Sequence, residues 1–342
     1  MTPDAPPTDA PLRIRTSDPA AAEPTARGER TGEAFRRVPP AAWPLLASVV
    51  LWIVIWLIAG RGLPGIAAGA LDSSSILIVV GLGQLIVITT GNANIDLSIP
   101  STMTLAAYVS AVALDGDAGR VPIAVAATIA CGAAIGLVNA LLIRLFDLPA
   151  IIATMAVAFI LDSLSLRLSE ELTTGIPPGI SSVLASHTLG VLNLVWIAVA
   201  VSVAGAFVLA RTTWGRCLSG IGQDRRVAFF AGYRWRAGEA AAFVASGVLA
   251  AVGGLLAGWD VGAEIGLGAP YLLSSVAVVV LGGTLITGGK SYVLGLWGGA
   301  VLLSLILTLV ITMGLSTAYQ NITQGVLILV ILGISSRARR AA

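Results

Sequence analysis

Apolar stretches of about twenty residues recur along nearly the whole chain after residue 41. A helix needs roughly 20 mostly apolar residues to cross the hydrocarbon core of a membrane. Continuous runs of Leu, Ile, Val and Ala without strict alternation favour helices over the strands of a barrel. Only 11% of the residues are charged, whereas soluble domains carry about 25%. The sequence therefore predicts an all-α, polytopic membrane helix bundle.

The apolar stretches predict ten spans, and residues 41–336 therefore form the predicted transmembrane domain. Residues 1–40 are rich in Pro, Ala and charge, which predicts a disordered tail. We do not expect a signal peptide here, because a signal peptide would place an apolar run directly after a basic start, and the first apolar run begins only near Ala41. Residues 337–342 form a basic C-terminus. The predicted spans are 42–60, 72–90, 97–114, 121–143, 149–168, 190–209, 239–258, 271–287, 292–313 and 318–334.

The basic residues sort to one side of this topology. Ten spans place both termini on the same side, which then holds 17 of the 20 Lys and Arg residues. The other three are Arg61, Arg120 and Arg167. Loops rich in Lys and Arg remain in the cytoplasm. We therefore expect both termini to be cytoplasmic, in the inner membrane of a bacterium.

Three glycine pairs have the spacing of closely packed membrane helices, namely Gly132 with Gly136, Gly254 with Gly258, and Gly295 with Gly299. Small residues four apart allow helix backbones to approach each other in lipid. The pairs predict tight helix packing, but they do not indicate what the bundle transports.

A polar stretch, residues 90–100, interrupts the helical pattern between the second and third spans. Ser98 followed by Pro100 is typical of a helix start, since Ser caps helices well and Pro is tolerated in the first turn. Two interpretations stay open at this point. The stretch is either an ordinary cytoplasmic turn or a broken helix whose polar groups line a solute path, as in many transporters.

Three polar residues lie inside apolar spans: Gln84, Asn139 and Asp162. Such residues usually face the interior of a bundle. For Gln84 and Asn139, hydrogen bonding between helices and contact with solute are both open. Arg167 lies five residues after Asp162, and we predict that the two form a structural pair rather than an ion-coupling site.

The longest predicted cytoplasmic connection, residues 211–236, mixes arginine with aromatic residues. Residues 224–230 predict a short helix with aromatic residues on one side. Exposed aromatic residues usually indicate a partner. We favour the interpretation that residues 211–236 dock to a cytoplasmic protein over the interpretation that they form a solvated basic loop near the lipid surface.

The residue content argues against catalysis in this chain. His187 is the one histidine, and the two cysteines, Cys131 and Cys217, show no metal or disulfide pattern. The residues Gly289-Lys290-Ser291 imitate the end of a phosphate loop, but Thr284 occupies a required glycine position. We therefore expect no catalytic residue, metal or cofactor here, and no nucleic-acid partner. Any ATP that drives transport must be hydrolysed by another chain.

Several ordered motifs resemble one family, the permeases of the ribose-type branch of ABC importers, which also handle xylose and arabinose. The resemblance covers about residues 70–335. The motifs are Gly83 to Thr89 with Ile95 to Ser98, Gly136 to Ala140, Leu148 to Thr154, Trp214 to Arg216 with Ile221 to Asp224 and Ala231-Gly232, and Leu281 to Thr284 with Gly288, Gly289 and Gly295.

The resemblance implies partners and an inverted repeat of spans 2–5 and 7–10. The partners are two cytoplasmic ABC ATPase subunits, an extracytoplasmic solute-binding protein, and a second permease copy in a homodimer or related heterodimer. It implies import of a small polar solute, a monosaccharide, by alternating access. On these grounds we predict substrate-path residues Gln84, Asn94, Asp96, Ser98 and Asn139, and ATPase-coupling residues Gly222, Gln223, Asp224, Arg225, Arg226, Ala228, Phe229 and Gly232.

The chain departs from the family pattern at several positions, which leaves open a substrate outside the common pentoses. Two rival functions also stay open. An ATP-independent secondary transporter or channel is disfavoured because the spans contain few carboxylates for ion coupling. A membrane enzyme is disfavoured because no convergent catalytic set appears. The departures are Asn92-Ala93-Asn94 for compact glycines, Pro100 and Ser291 for glycine, Asp224 for asparagine, and Leu272 and Ser274 for Glu and Asp.

Overall fold

The computed structural model describes residues 42–60 and 62–314, together with the single positions 316, 319, 322, 325 and 326. The predicted tail 1–40 and the C-terminus 337–342 lie outside the described residues. The tenth predicted span, 318–334, also lies outside them except for four isolated positions. The count of ten spans therefore stays a prediction.

The regular secondary structure of the described residues is α-helical apart from one two-stranded hairpin and a 3₁₀ turn at Ala118–Arg120. The hairpin pairs β1 (His187–Thr188) with β2 (Val191–Leu192). The helices are α1 (Ala42–Ala59), α2 (Leu63–Thr89), α3 (Ile99–Leu114), α4 (Val121–Leu145), α5 (Ala150–Glu171), α6 (Pro178–Leu184), α7 (Asn193–Arg211), α8 (Thr213–Gln223), α9 (Arg225–Phe230), α10 (Trp235–Val261), α11 (Tyr271–Leu281) and α12 (Val293–Thr312).

Six of these helices are long and apolar enough to cross a membrane: α2, α4, α5, α7, α10 and α12. Helices α1, α3 and α11 are apolar but shorter. The predicted all-α membrane bundle is confirmed. The eighth predicted span, 271–287, is wrong at its end, because α11 stops at Leu281 and Gly283 has a positive φ of 87°.

Helix α10 forms the centre of the bundle and packs against α2, α3 and α4. Two of the glycine pairs make this packing possible. Gly132 and Gly136 of α4 lie against the backbone of α10, and Gly254 and Gly258 of α10 lie against α3. The third pair, Gly295 and Gly299, lies against the end of α11. The prediction of tight helix packing is confirmed, because a Cβ at any of these glycines would overlap a neighbouring helix or its end.

The contacts of α10 also give the helix directions. Gly254 and Gly258 lie against Met103 and Ala107 in the same order, so α10 and α3 run in the same direction. Along α2 the order is reversed, since Gly83 lies against Ser246 whereas Val80 lies against Gly253. Helices α2 and α10 are therefore antiparallel.

Two non-helical segments each precede a short helix: residues 90–98, the first break, precede α3, and residues 262–270, the second break, precede α11. Both follow the same pattern of Ile, Leu and Pro. In the first break these are Ile95 and Leu97, followed by Pro100. In the second they are Ile265, Leu267 and Pro270. The equivalence of α2–α3 with α10–α11 supports the start of the predicted inverted repeat.

The second break folds back along α3. Gly258 lies beside Ala107, yet Gly268, ten residues later, contacts Pro100 and donates its backbone N–H to Thr104 Oγ1 at 3.1 Å. Helix α11 then has 11 residues, or about 16 Å at 1.5 Å per residue. That length is roughly half of a hydrocarbon core of about 30 Å. Helix α11 alone is therefore too short to cross such a core.

A candidate translocation and coupling site

The first break is stabilised by a network of buried polar side chains. Asp96 is 2% exposed, and its Oδ1 accepts hydrogen bonds from the Ser98 backbone N–H (3.0 Å) and hydroxyl (2.6 Å). Its Oδ2 accepts a hydrogen bond from Ser246 Oγ of α10 at 2.7 Å. The carboxylate also lies at the N-terminus of α3, where a negative charge is favoured by the helix dipole. The network therefore attaches the start of α3 to α10.

Two further helices join the same network. Asn139 of α4 donates from Nδ2 to Ser98 Oγ at 2.7 Å. Thr154 of α5 accepts a hydrogen bond at its Oγ1 from the Leu97 backbone N–H at 3.0 Å. Because a break removes helical hydrogen bonds inside an apolar bundle, side chains must replace them. Thr154 of α5 supplies one such replacement, whereas Asn139 of α4 and Ser246 of α10 bond to the Ser98 and Asp96 side chains.

All five predicted substrate-path residues are buried within this chain. Three of them, Asp96, Ser98 and Asn139, bond to one another, and Asn94 donates to Thr90 Oγ1 at 3.0 Å. Gln84 is fully buried, and neither polar atom of its side chain has a hydrogen-bond partner among the described residues. The hydrogen bond between helices is thus found for Asn139 and not for Gln84. A role in the solute path stays a prediction for all five.

The start of the first break has a strained backbone. Asn92 and Ala93 both have φ of 55°, in the left-handed region. This conformation suits glycine and costs other residues about 1–2 kcal/mol. The strain falls at the positions where the resembling family has compact glycines, residues that adopt this conformation at little cost.

The predicted pairing of Asp162 with Arg167 is wrong. Arg167 bonds Glu170 at 2.8 Å and lies 3.4 Å from Glu171. These partners lie one turn further along α5, within reach of a side chain on the same helix face. Asp162 lies on an exposed part of α5.

The connection 211–236, the coupling segment, contains two helices, α8 and α9. Asp224 caps α9 by accepting hydrogen bonds from the backbone N–H groups of Arg226 (2.7 Å) and Val227 (3.2 Å). The predicted short helix at 224–230 is confirmed. Phe229 and Phe230 are exposed, at 61% and 85%, so α9 presents an aromatic surface.

The predicted coupling residues divide by position. Gly222 and Gln223 end α8, Arg226 and Phe229 are exposed on α9, and Gly232 follows α9 with a positive φ of 82°. Ala228 is buried beside Cys217 and Ile221 of α8. It can contribute to coupling only by anchoring α9. Burial raises the pKa of the Cys217 thiol, so this group packs uncharged at neutral pH.

The end of α8 also contacts the base of the first break. Gly222 packs against the Thr89 carbonyl and the Gly289 backbone, and Gly91 packs against Gly222. Gly289 donates its backbone N–H to Thr89 O at 3.0 Å. Three backbone segments that are distant in sequence therefore meet where only glycine leaves enough room.

A cavity of about 370 Å³ lies between the first break and the coupling segment. Its walls include Asn92 and Asn94 of the break, Arg144 at the end of α4, and Trp235 and Glu239 at the start of α10. The break and the coupling segment are therefore walls of one opening.

The sequence did not single out Thr154, Ser246 or Glu239. Thr154 lies within a quoted motif, but nothing in the sequence assigned it a bond to Leu97. Ser246 is a polar residue in an apolar span, the same signal that marked Asn139. Serine gives a weak signal because it can bond to a carbonyl of its own helix. Glu239 lies beside the arginine-rich segment, and its partner became evident only in the structure.

Comparison with known proteins identifies the family. The family described as the permease component of the branched-chain amino acid transport system matches residues 65–332. The chain belongs to this permease family. The predicted resemblance to permeases of ABC importers is confirmed, so the chain is a multi-pass membrane subunit of a transporter.

Similar members of the family include permeases named for autoinducer 2 import. The LsrC protein of Enterobacter sp. (strain 638) is 30% identical over 271 residues, which cover 79% of this chain and 78% of the relative. That of Klebsiella pneumoniae is 31% identical over 275 residues, with the same shares. That of Photorhabdus luminescens is 27% identical over 272 residues, 79% of this chain and 81% of the relative. No solved structure matches the chain.

Proposed function

We propose that this chain is the permease subunit of an ATP-driven importer for a small polar solute of the monosaccharide class. Separate cytoplasmic ABC ATPase subunits bind the coupling segment, and an extracytoplasmic binding protein delivers the solute to the opposite face. A second permease copy completes the translocation path. Both termini are cytoplasmic, in a bacterial inner membrane.

The observation that carries this proposal is the position of α9. It exposes Phe229 and Phe230 on the arginine-rich side of the bundle, and its capping residue, Asp224, gives it a defined start. Exposed aromatic side chains beside arginines are typical of a protein interface. The same segment contacts the base of the first break through Gly222. A subunit that binds α9 is thereby connected to the interrupted helix.

The two breaks supply elements that can change shape. Non-helical backbone at membrane depth is tolerated where it is buried in protein or lines a cavity, and broken helices form the solute sites of many transporters. The similarity to permeases named for autoinducer 2 import supports a small solute. The small number of carboxylates in the spans favours ATP over an ion gradient as the energy source.

The proposal is tested by purifying the tagged chain from its native membrane and by measuring uptake in liposomes. We expect an ATPase subunit to co-purify in stoichiometric amounts and uptake to require ATP. Replacing both Phe229 and Phe230 by Ala is expected to remove most of the bound ATPase subunit, because hot-spot aromatic residues carry much of an interface's binding energy. The matched control is the double Ala variant of Phe159 and Phe207, which are similarly exposed on α5 and α7.

Uptake by the chain alone without ATP would contradict the proposal and favour a secondary transporter or channel. In that case Asp162→Asn should abolish uptake while the protein remains folded. If the Phe229/Phe230 variant retains as much ATPase subunit as the control variant, α9 is not the docking helix.

A further inference from the structure

One ion pair connects the coupling segment to the central helix. Arg225 Nη2 of α9 lies 2.5 Å from Glu239 Oε1 of α10, and the Glu239 side chain is only 12% exposed. The Arg225 guanidinium also lies over the ring of Trp235, 5.3 Å from its centroid. In the part of the chain that the structure describes, the other ion pairs join residues at most five positions apart. Among the described ion pairs, Arg225–Glu239 is therefore the one that joins two helices.

Helix α10 extends from this link to the first break. Glu239 and Ser246 are seven residues apart, which places them about two turns and roughly 10 Å apart on the same side of the helix. Ser246 then donates its hydroxyl proton to Asp96 Oδ2 at 2.7 Å. The Arg225–Glu239 pair and the Ser246–Asp96 bond, joined by two turns of α10, thus connect α9 to the N-terminus of α3.

We propose that Glu239 and Ser246 are positioning residues that transmit movement of α9 through α10 to the first break. The inference rests on the proposed function, in which an ATPase subunit moves α9. Removing one partner of a largely buried ion pair leaves an uncompensated charge, so α9 and the start of α10 are expected to move together. A continuous helix then transmits the displacement to Ser246.

The pair also differs in kind from the backbone contact at Gly222. That contact holds the end of α8 by shape alone, and a substitution there disturbs packing. The Arg225–Glu239 pair depends on charge, so its two partners can be exchanged. A variant in which Arg225 and Glu239 are exchanged therefore distinguishes a role of the pair in transmission from a role in folding.

The test uses the whole transporter, with ATPase subunits and binding protein, in liposomes, and measures solute imported per ATP hydrolysed. We expect Arg225→Ala and Glu239→Ala to retain the ATPase subunit but to lower this ratio about tenfold, within the range seen for coupling residues. The reversed pair, R225E with E239R, should recover most of the ratio. The matched control is Arg167→Ala, which breaks an exposed pair on α5 and should leave the ratio unchanged.

Ser246→Ala tests the second step of the route. If Glu239 and Ser246 act in series, the double variant should be no worse than the more affected single variant. Multiplication of the two effects would overturn the series arrangement.

An unchanged ratio in Glu239→Ala, or a reversed pair as impaired as the single variants in an intact complex, would overturn this inference and leave the proposed function standing. Uptake by the parent chain without any ATPase subunit would overturn both. Lowered uptake per ATP together with recovery in the reversed pair would establish the link.

Discussion

The two breaks have similar sequences but are stabilised in different ways. The first break buries Asn94, Asp96 and Ser98, and side chains from three other helices bond to it. The second break has glycine at positions 266 and 268 in place of Asp96 and Ser98, and its Glu264 is exposed. Several side-chain hydrogen bonds hold the first break, whereas close backbone contact at Gly268 and the single bond to Thr104 Oγ1 hold the second. The comparison shows that one repeat pattern can be stabilised by hydrogen bonding or by shape.

The difference also concerns charge at the helix N-termini. Asp96 places a buried carboxylate beside the start of α3, while the second break places no buried carboxylate at the start of α11. An unneutralised helix N-terminus favours negative or polarised oxygen atoms nearby. The two helix N-termini therefore differ in whether a buried carboxylate lies beside them.

The largest expected effect comes from filling the close contact of the second break. Gly268→Ala would drive a Cβ into the Pro100 backbone, and neither segment can move aside without losing the Thr104 hydrogen bond. We expect a loss of about 3 kcal/mol or more, sufficient to abolish a folded, monodisperse protein in detergent. The control is Ala269→Val at the exposed neighbouring position. Normal size-exclusion behaviour of Gly268→Ala would show that backbone proximity does not hold the second break.

A smaller but clear effect should follow from changing the charge of the first break. Asp96→Asn leaves three donors facing a neutral amide, and we expect destabilisation by about 2–3 kcal/mol together with loss of uptake. Glu264→Gln, at an exposed carboxylate of the second break, should alter stability by less than about 0.5 kcal/mol. Denaturation titrations in mixed micelles measure both values. Equal effects of the two substitutions would remove the proposed contrast.

Removing one supporting hydroxyl should have a moderate effect. Thr154→Val deletes the acceptor of the Leu97 backbone N–H, which should cost about 1–2 kcal/mol. Thr128→Val is a matched control, since the buried Thr128 hydroxyl has no hydrogen-bond partner among the described residues. The same denaturation titration compares them. A Thr154 variant as stable as the Thr128 variant would show that this bond does not support the break.

The smallest expected effect is a gain in stability. Ala93→Gly removes the strain of a non-glycine residue in the left-handed conformation, which is about 1–2 kcal/mol. The greater flexibility of glycine in the unfolded chain offsets this by about 0.5–1 kcal/mol. We expect a net stabilisation of about 0.5–1 kcal/mol and a higher midpoint of thermal unfolding. Ala237→Gly, at an exposed position in α10, should lower the midpoint. A lower midpoint for Ala93→Gly as well would mean that the turn is not strained.

The sequence was sufficient to predict the helices and the start of α3 because those depend on local chemistry. Ser98 and Pro100 mark a helix start, and Asp224 marks another; the structure confirms both. The predicted spans 239–258 and 271–287 left residues 259–270 between them as a connection, but the sequence analysis did not identify that connection as a counterpart of the first break. Its equivalence to the first break becomes evident when Pro270 and Pro100 are aligned.

The partners within the candidate site were less predictable because they depend on long-range contacts. Ser246 and Asp96 are 150 residues apart in sequence, and no local pattern links them. The predicted pairing of Asp162 with Arg167 failed although it concerned residues close in sequence. Sequence proximity suggested Asp162, whereas helix geometry favours Glu170 and Glu171 on the same face.

The bond between Gly268 and Thr104 has a consequence for how the chain is made. Its partners are 164 residues apart, a length that a ribosome needs roughly 10–30 s to synthesise at 5–20 residues per second. During that interval α3 has already been produced, while the segment that completes its surroundings does not yet exist. The Thr104 hydroxyl therefore gains its Gly268 partner only after most of the bundle has been synthesised.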